Sequence, residues 1–146
     1  MYCIRKMDLI DIPQLFQIEK KAYTHPWTLG IIQGCMRFDY ANFILEIEQQ
    51  IRGYSFLSIQ AGEAHLLNLT IHPEQQGQGF GTILLDFQLQ QAKKRAADII
   101  FLEVRRSNHI AQNLYIKKGF NEVGCRHSYY PSHNGKEDAI IFALSL

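Results

Sequence analysis

The sequence predicts an α+β fold, a mixed and mostly antiparallel central sheet of about seven strands with helices on both faces. Two observations carry this expectation. Strand-like stretches in the middle of the chain are separated by very short turns, the pattern of antiparallel hairpins. They lead into alternating helix, strand and helix, and that unit needs a crossover to a parallel neighbour in the same sheet.

The elements follow in order. Cys3 to Met7 reads as a short strand. Asp11 offers a helix N-cap with Pro13 just inside, and Leu15, Phe16, Ile18 and Glu19 suit the helix that follows. A second helix starts after Pro26-Trp27 with Thr28 as its cap and runs towards Arg37. Phe43 to Glu48, Gly53 to Ser58 and Ala64 to Ile71 are the meander strands, turned at Gln49-Gln50 and at Ala61-Gly62-Glu63. After His72-Pro73, glycines open a long helix from Gly81 to Ala97. Ile99 to Val104 is a β-branched and aromatic strand. Asn108 to Lys118 is helical, closed by Gly119 in the position that favours a left-handed C-terminal cap. Two last strands, near Glu122 to Tyr129 and Ala139 to Leu144, flank a polar turn at Ser132 to Lys136.

No linker, repeat or low-complexity tract interrupts the chain, so residues 1–146 read as one domain. Hydrophobic residues make up 47% and charged residues 20%, ordinary values for a soluble protein. Lys and Arg number 15 against 14 Asp and Glu, a net charge of +1. That balance gives no electrostatic case for nucleic-acid or membrane-surface partners. Cys3, Cys35 and Cys125 are scattered and form no CxxC pair, and the histidines lack companion carboxylates at helical spacing, so no metal is expected. Charges interrupt every apolar run near Met1, and the longest clean run, Ala139 to Leu144, is too short to span a bilayer. A reduced, cytoplasmic setting is expected.

The most informative segment is Gln76-Gly77-Gln78-Gly79-Phe80-Gly81, between a strand and a helix. Glycines there let backbone N–H groups turn towards an anion, and the helix N-terminus adds partial positive charge. Taken alone, the same segment serves equally as a tight turn. A P-loop is excluded, because Gly81 is followed by Thr82-Ile83 and no Lys. A dinucleotide fingerprint fits poorly, since Gly77, Gly79 and Gly81 give GxGxG, although Glu103 stands near the place its acidic residue would take.

The pattern Gln-x-x-Gly-x-Gly over residues 76–81 resembles the acetyl-CoA signature of the GNAT acetyltransferase superfamily. The likeness continues through Leu102-Glu103-Val104-Arg105-Arg106-Ser107-Asn108, Asn113-Leu114-Tyr115 and Lys118-Gly119-Phe120. His25-Pro26-Trp27, Tyr129-Tyr130-Pro131 and Gly135 to Ile141 are similar to segments of the bacterial ribosomal-protein-alanine acetyltransferases, the RimI family. The resemblance implies a GNAT fold and an enzyme that acetylates a protein N-terminus, that of a small-subunit ribosomal protein, with acetyl-CoA as cosubstrate. It also implies that backbone groups of Leu69, Thr70 and Ile71 face the acetyl and pantetheine portion. Gly77, Gln78, Gly79, Phe80, Gly81 and Thr82 would hold the pyrophosphate, and Asn108 would contact the cofactor. Glu103 would accept a proton and Tyr115 would donate one. Relatives often carry Arg where Gly77 stands, and the absence of that Arg here weakens a salt contact but spares the backbone cradle.

These residue types suit the chemistry. A free α-amine has a pKa of about 7.7–8, so near neutrality much of it is protonated and cannot attack a thioester until a base removes the proton. Plainer roles stand beside these. Glu103 could pair with Arg105 or Arg126, Tyr115 could be a core aromatic, and Asn108 could be an N-cap. The Tyr130-Pro131 turn and the acidic pair Glu137-Asp138 are expected to border the acceptor groove, or else to form a plain surface hairpin.

Overall fold

A computed structural model describes residues 1–38 and 40–146 of the chain. The strands are β1 (Tyr2–Lys6), β2 (Phe43–Ile47), β3 (Gln50–Gln60), β4 (Glu63–Ile71), β5 (Ile99–Arg105), β6 (Asn121–Ser132) and β7 (Gly135–Ser145). The helices are α1 (Ile12–Ala22), α2 (Leu29–Met36), α3 (Phe80–Lys94) and α4 (His109–Lys117). All seven strands share one sheet in the order β1-β2-β3-β4-β5-β7-β6. Every pairing is antiparallel except β4 with β5, so the expected mixed, mostly antiparallel sheet is what forms.

Local chemistry sets the ends of these elements. The β2–β3 turn places Glu48 and Gln49 at φ 50° and 66°, and the β3–β4 turn places Ala61 and Gly62 at φ 51° and 82°. Paired positive φ values make two-residue hairpin loops whose twist matches that of the strands. Thr28 caps α2 by accepting from Ile31 N–H at 3.2 Å. Gly119, at φ 95°, closes α4 with Phe120 N–H bonded to Tyr115 O at 3.0 Å, as its position predicts. Helix α3 stops short of the expected Ala97. Ala96 takes φ 62° and Ala97 N–H returns to Ala92 O at 3.0 Å, the same cap without a glycine. Asp11 precedes α1 as expected but makes no side-chain cap, because Arg5 claims its carboxylate at 2.8 Å.

The sheet carries apolar side chains on both faces. Tyr54 and Phe56 of β3 pack with Leu15, Ile18 and Ile32 of α1 and α2. On the opposite face Leu57, Leu66, Leu85, Leu102 and Tyr115 join α3 and α4 to the sheet. Between Phe56/Asn68 and Leu57/Leu66 the β3–β4 register shifts, leaving Leu67 unpaired as a β-bulge. A one-residue slip exchanges faces. Ala64 and Leu66 therefore point towards α3 and α4, as do Leu69 and Ile71 beyond the bulge, whereas Asn68 and Thr70 turn towards α1. Among the described residues no helix is long and apolar enough to cross a membrane.

Candidate active site

The bulge coincides with an opening in the sheet. The parallel β4–β5 ladder runs from Glu63/Ile99 to Leu66/Leu102 and stops, although β4 continues to Ile71 and β5 to Arg105. On its other edge β4 stays paired with β3, and His72 N–H donates to Arg52 O at 2.7 Å. Strand alternation then directs the N–H and C=O groups of Leu69 and Ile71 into the opening. The Ile71 carbonyl meets Gln76 Nε2 there at 3.0 Å. Thr70 differs from the expectation. Its backbone groups belong to the β3 ladder opposite Tyr54, and only its hydroxyl serves the other side of the sheet.

Glu103 is the first residue of β5 past the last rung. Its Oε2 lies 3.3 Å from Arg126 Nε, so the ion pair that the sequence left open is formed with Arg126, while Arg105 is taken by Glu137 at 3.0 Å. Even so, Glu103 Oε2 is a buried oxygen that accepts no hydrogen bond among the described residues. Tyr115 projects from α4 into the core, its ring 5.6 Å from that of Phe120. Burial, reinforced by Tyr23 and Tyr130, pushes its phenol well above the usual range. Tyr130 packs its ring 4.5 Å from the Arg105 guanidinium, and burial followed by the charge of Glu103 raises its pKa to about 12.

The glycine segment lies at one end of this opening. Gly77 and Gly79 take φ 79° and 88°, and a Cβ on either would meet nothing within 4 Å. The first bond of α3 is Ile83 N–H to Gly79 O at 3.1 Å, so the N–H groups of Phe80, Gly81 and Thr82 lack helical partners. Gly81 approaches Leu114 of α4 and Ile71 of β4, at 3.7 and 4.0 Å from its Cβ position. Gln78 bends back to Glu74 O at 3.4 Å. An exposed left-handed loop with orphan donors fits an anionic group such as a pyrophosphate. Asn108 is an N-cap of α4, its Oδ1 accepting from Ala111 N–H at 3.1 Å.

A cleft of about 480 Å³ lies beside the opening, between the α1–α2 loop and the β6–β7 hairpin. Tyr23, His25, Arg105, Pro131, His133 and Glu137 line it, and the rings of His25 and His133 meet across it at 6.1 Å. The expected acidic pair is divided, because neighbours on a strand point to opposite faces. Glu137 faces the cleft, held by Arg105 and by Ser107 Oγ at 3.1 Å, and these contacts keep its carboxyl below the usual range despite some desolvation. Asp138 turns away to Ser128 N–H at 2.9 Å, Arg106 and His127. Cys125, His127 and Asp138 bring possible ligand atoms within 4.8 Å of one another, which their spacing in the chain does not suggest. Arg106 already supplies a cation to that group, 3.5 Å from Asp138 and 3.6 Å from Cys125 Sγ.

Sequence reasoning placed Glu19 on α1 and missed its role. It is 2% exposed and accepts from Tyr54 Oη at 2.6 Å, Asn68 Nδ2 at 3.1 Å and Trp27 N–H at 2.8 Å. Thr70 Oγ1 donates to Asn68 Oδ1 at 2.6 Å and lies 2.7 Å from Tyr23 Oη. The apolar doublet Leu66-Leu67, which breaks strict alternation, is the signal in the sequence for the bulge that makes this chain of contacts possible.

Comparison with known proteins identifies the fold and the family. The acetyltransferase (GNAT) family pattern matches residues 7–120. The [ribosomal protein bS18]-alanine N-acetyltransferase of Escherichia coli K12 is 35% identical over 146 residues, covering 100% of this chain and 99% of the relative. That of Haemophilus influenzae is 37% identical over 147 residues, with 100% of both chains covered. The crystal structure of the ribosomal-protein-S18-alanine N-acetyltransferase from Escherichia coli superposes with a TM-score of 0.94, covering 99% of this chain and 94% of that one.

Proposed function

Because the chain belongs to the acetyltransferase (GNAT) family, we propose that it carries an acetyl group from acetyl-CoA to the N-terminal α-amine of a protein. The acceptor is the N-terminal alanine of ribosomal protein bS18, in the cytoplasm, a reading supported by the full-length identity to enzymes named for that reaction.

Acetyl-CoA supplies an activated thioester. The orphan N–H groups of Phe80, Gly81 and Thr82, with Gly77, Gln78 and Gly79, receive its pyrophosphate, where the α3 N-terminus favours negative charge. Leu69 and Ile71 offer strand-edge backbone groups to the pantetheine arm, Thr70 fixes the strand between them, and the free amide nitrogen of Asn108 adds a contact from α4. The Ile71 N–H is placed to stabilise charge developing on the thioester carbonyl oxygen. Glu103 Oε2 takes a proton from the acceptor ammonium, directly or through one water, and the freed amine attacks. The C–N bond forms as the C–S bond breaks, the Tyr115 hydroxyl protonates the departing sulfur, and the second proton that the nitrogen sheds on becoming an amide passes to the Tyr115 oxygen and restores its hydroxyl. Burial keeps that hydroxyl protonated until it is needed.

The observation that carries this mechanism is the place of the Glu103 carboxylate, on the first residue past the last rung of the β4–β5 ladder, at the rim of the opening into which Leu69 and Ile71 turn their backbone groups. The test is turnover with acetyl-CoA and a panel of acceptors: an alanine-initiated bS18 peptide, a polyamine and free lysine. Preference for the peptide supports the reading. Preference for a small amine or lysine, or binding without turnover, overturns it.

A further inference from the structure

The hydrogen-bond chain from Glu19 to Tyr23 has a direction, and that direction bears on the cleft. Glu19 receives the Trp27 N–H on Oε2 and the Tyr54 O–H on Oε1, so both carboxylate oxygens act as acceptors. Asn68 must then present its NH₂ to Glu19, because an amide oxygen there would face a carboxylate oxygen. Its Oδ1 is thereby turned to Thr70, and the single Thr70 hydroxyl proton is spent on it at 2.6 Å. Thr70 Oγ1 has only lone pairs left for Tyr23, 2.7 Å away. Tyr23 is therefore the donor of that bond. Its one proton points into the protein towards Thr70, which leaves the oxygen's lone pairs to accept, and Tyr23 is one of the residues that line the cleft.

We propose that the Tyr23 hydroxyl oxygen is a binding point for the acceptor's amine, taking a hydrogen bond from an N–H of the α-ammonium while the Glu19–Asn68–Thr70 chain holds the phenolic proton out of the way. A freely rotating tyrosine hydroxyl could turn its proton towards the cleft and oppose a cation there. The committed chain forbids this and admits donors only. Trp27 belongs to the same arrangement, since its N–H on Glu19 ties the α1–α2 loop, which carries Tyr23, to the sheet beside the opening. This inference rests on the acetyl-transfer reading, with the amine as the group to be recognised.

Steady-state kinetics of Tyr23→Phe and Thr70→Val, with acetyl-CoA affinity measured separately by calorimetry, tests it. Tyr23→Phe is expected to raise the acceptor KM by roughly 10- to 100-fold, the loss of one hydrogen bond to a charged group, with acetyl-CoA affinity unchanged. Thr70→Val keeps the tyrosine hydroxyl but frees its proton to face the cleft, so the acceptor KM should rise here too. An unchanged acceptor KM in Tyr23→Phe, with wild-type peptide turnover intact, overturns the inference and leaves the acetylation reading standing. If the wild type prefers another amine over the peptide, the acetylation reading fails, and the same comparison is made with that amine. Equal losses in acceptor KM and acetyl-CoA affinity would mark Tyr23 as merely structural and overturn the inference as well.

Discussion

Leu66 and Leu102 form the last paired rung between β4 and β5, and Glu103 is the first residue beyond it. A parallel ladder that ends in mid-sheet leaves backbone groups without strand partners, and such groups need a ligand, water or another segment. Here the backbone groups of Leu69 and the N–H of Ile71 are offered from one side, while the Glu103 carboxylate, paired with Arg126, stands on the other. The bulge at Leu67 and the end of the β4–β5 ladder fall at the same place in the sheet.

The cradle can be tested at Gly79. Its φ of 88° disfavours any side chain, and a β-branched one would fill the open space above the α3 N-terminus. Gly79→Val is expected to weaken acetyl-CoA binding by at least about tenfold, read by calorimetry on folded protein. Gly34→Ala is the control. Gly34 lies in α2 with nothing within 4 Å of its Cβ position, so alanine there should stabilise the protein by about 0.5–1 kcal/mol and leave cofactor affinity alone. Equal affinity in both variants would remove the glycine segment from the phosphate site.

Tyr115→Phe should slow turnover while preserving the fold, because only a hydroxyl is removed from a side chain packed against Phe120 and Phe142. Raising the pH should not restore the rate. The phenol's pKa is displaced upwards by burial, so the hydroxyl stays protonated across pH 6–10 in the wild type, and its loss is the loss of a donor. A variant that recovers at alkaline pH would point instead to a role in deprotonating the amine.

The division of the hairpin acids predicts unlike behaviour. Glu137→Gln alters the wall of the cleft and loosens Arg105 and Ser107, so the peptide KM should rise. Asp138→Asn acts on the far face, among Arg106, His127 and Ser128, and should leave that KM nearly unchanged. Matching effects in the two variants would contradict the placement of the cleft.

Stability has its own pH signature at Asp11. Arg5 binds this buried carboxylate through its two terminal guanidinium nitrogens, at 2.8 and 2.9 Å, and holds its pKa below the ordinary value. A depressed folded pKa gives stability that is complete above the unfolded value of about 3.9 and is lost as pH falls through the folded one. Asp11→Asn should cost roughly 1–3 kcal/mol in urea denaturation near neutral pH, and the gap from wild type should close in acid. A gap independent of pH would show that shape rather than charge matters there.

Much of this was legible in the chain. Hairpin punctuation, the glycine segment and the cap at Gly119 are local signals, and each element appears with ends displaced by a few residues. Glu103 and Tyr115 could be singled out only by resemblance, since nothing local separates a strand-end glutamate from an ordinary ion-pair partner. Other features turn on how the folded chain pairs its polar groups, which the pattern of residue types does not settle. Asp11 is drawn from its cap by Arg5, and Ala96 ends α3 early without a glycine. The Leu66-Leu67 doublet marks the bulge, but its consequence, Asn68 turned to Glu19 at 49 residues' separation, is a tertiary contact. The split between Glu137 and Asp138 was available from strand alternation alone, had the register of the last strand been fixed.

The most direct measurement is the steady-state rate of Glu103→Gln against wild type on an alanine-initiated bS18 peptide from pH 6 to 10, with circular dichroism to confirm folding. Removing the general base should cut turnover at neutral pH by roughly 10²–10⁴-fold while acetyl-CoA affinity holds. Part of the loss should return at high pH, where more of the acceptor amine is already neutral. Wild-type turnover in Glu103→Gln at neutral pH would contradict the assignment of the base, and with it the account of how the β4–β5 opening works.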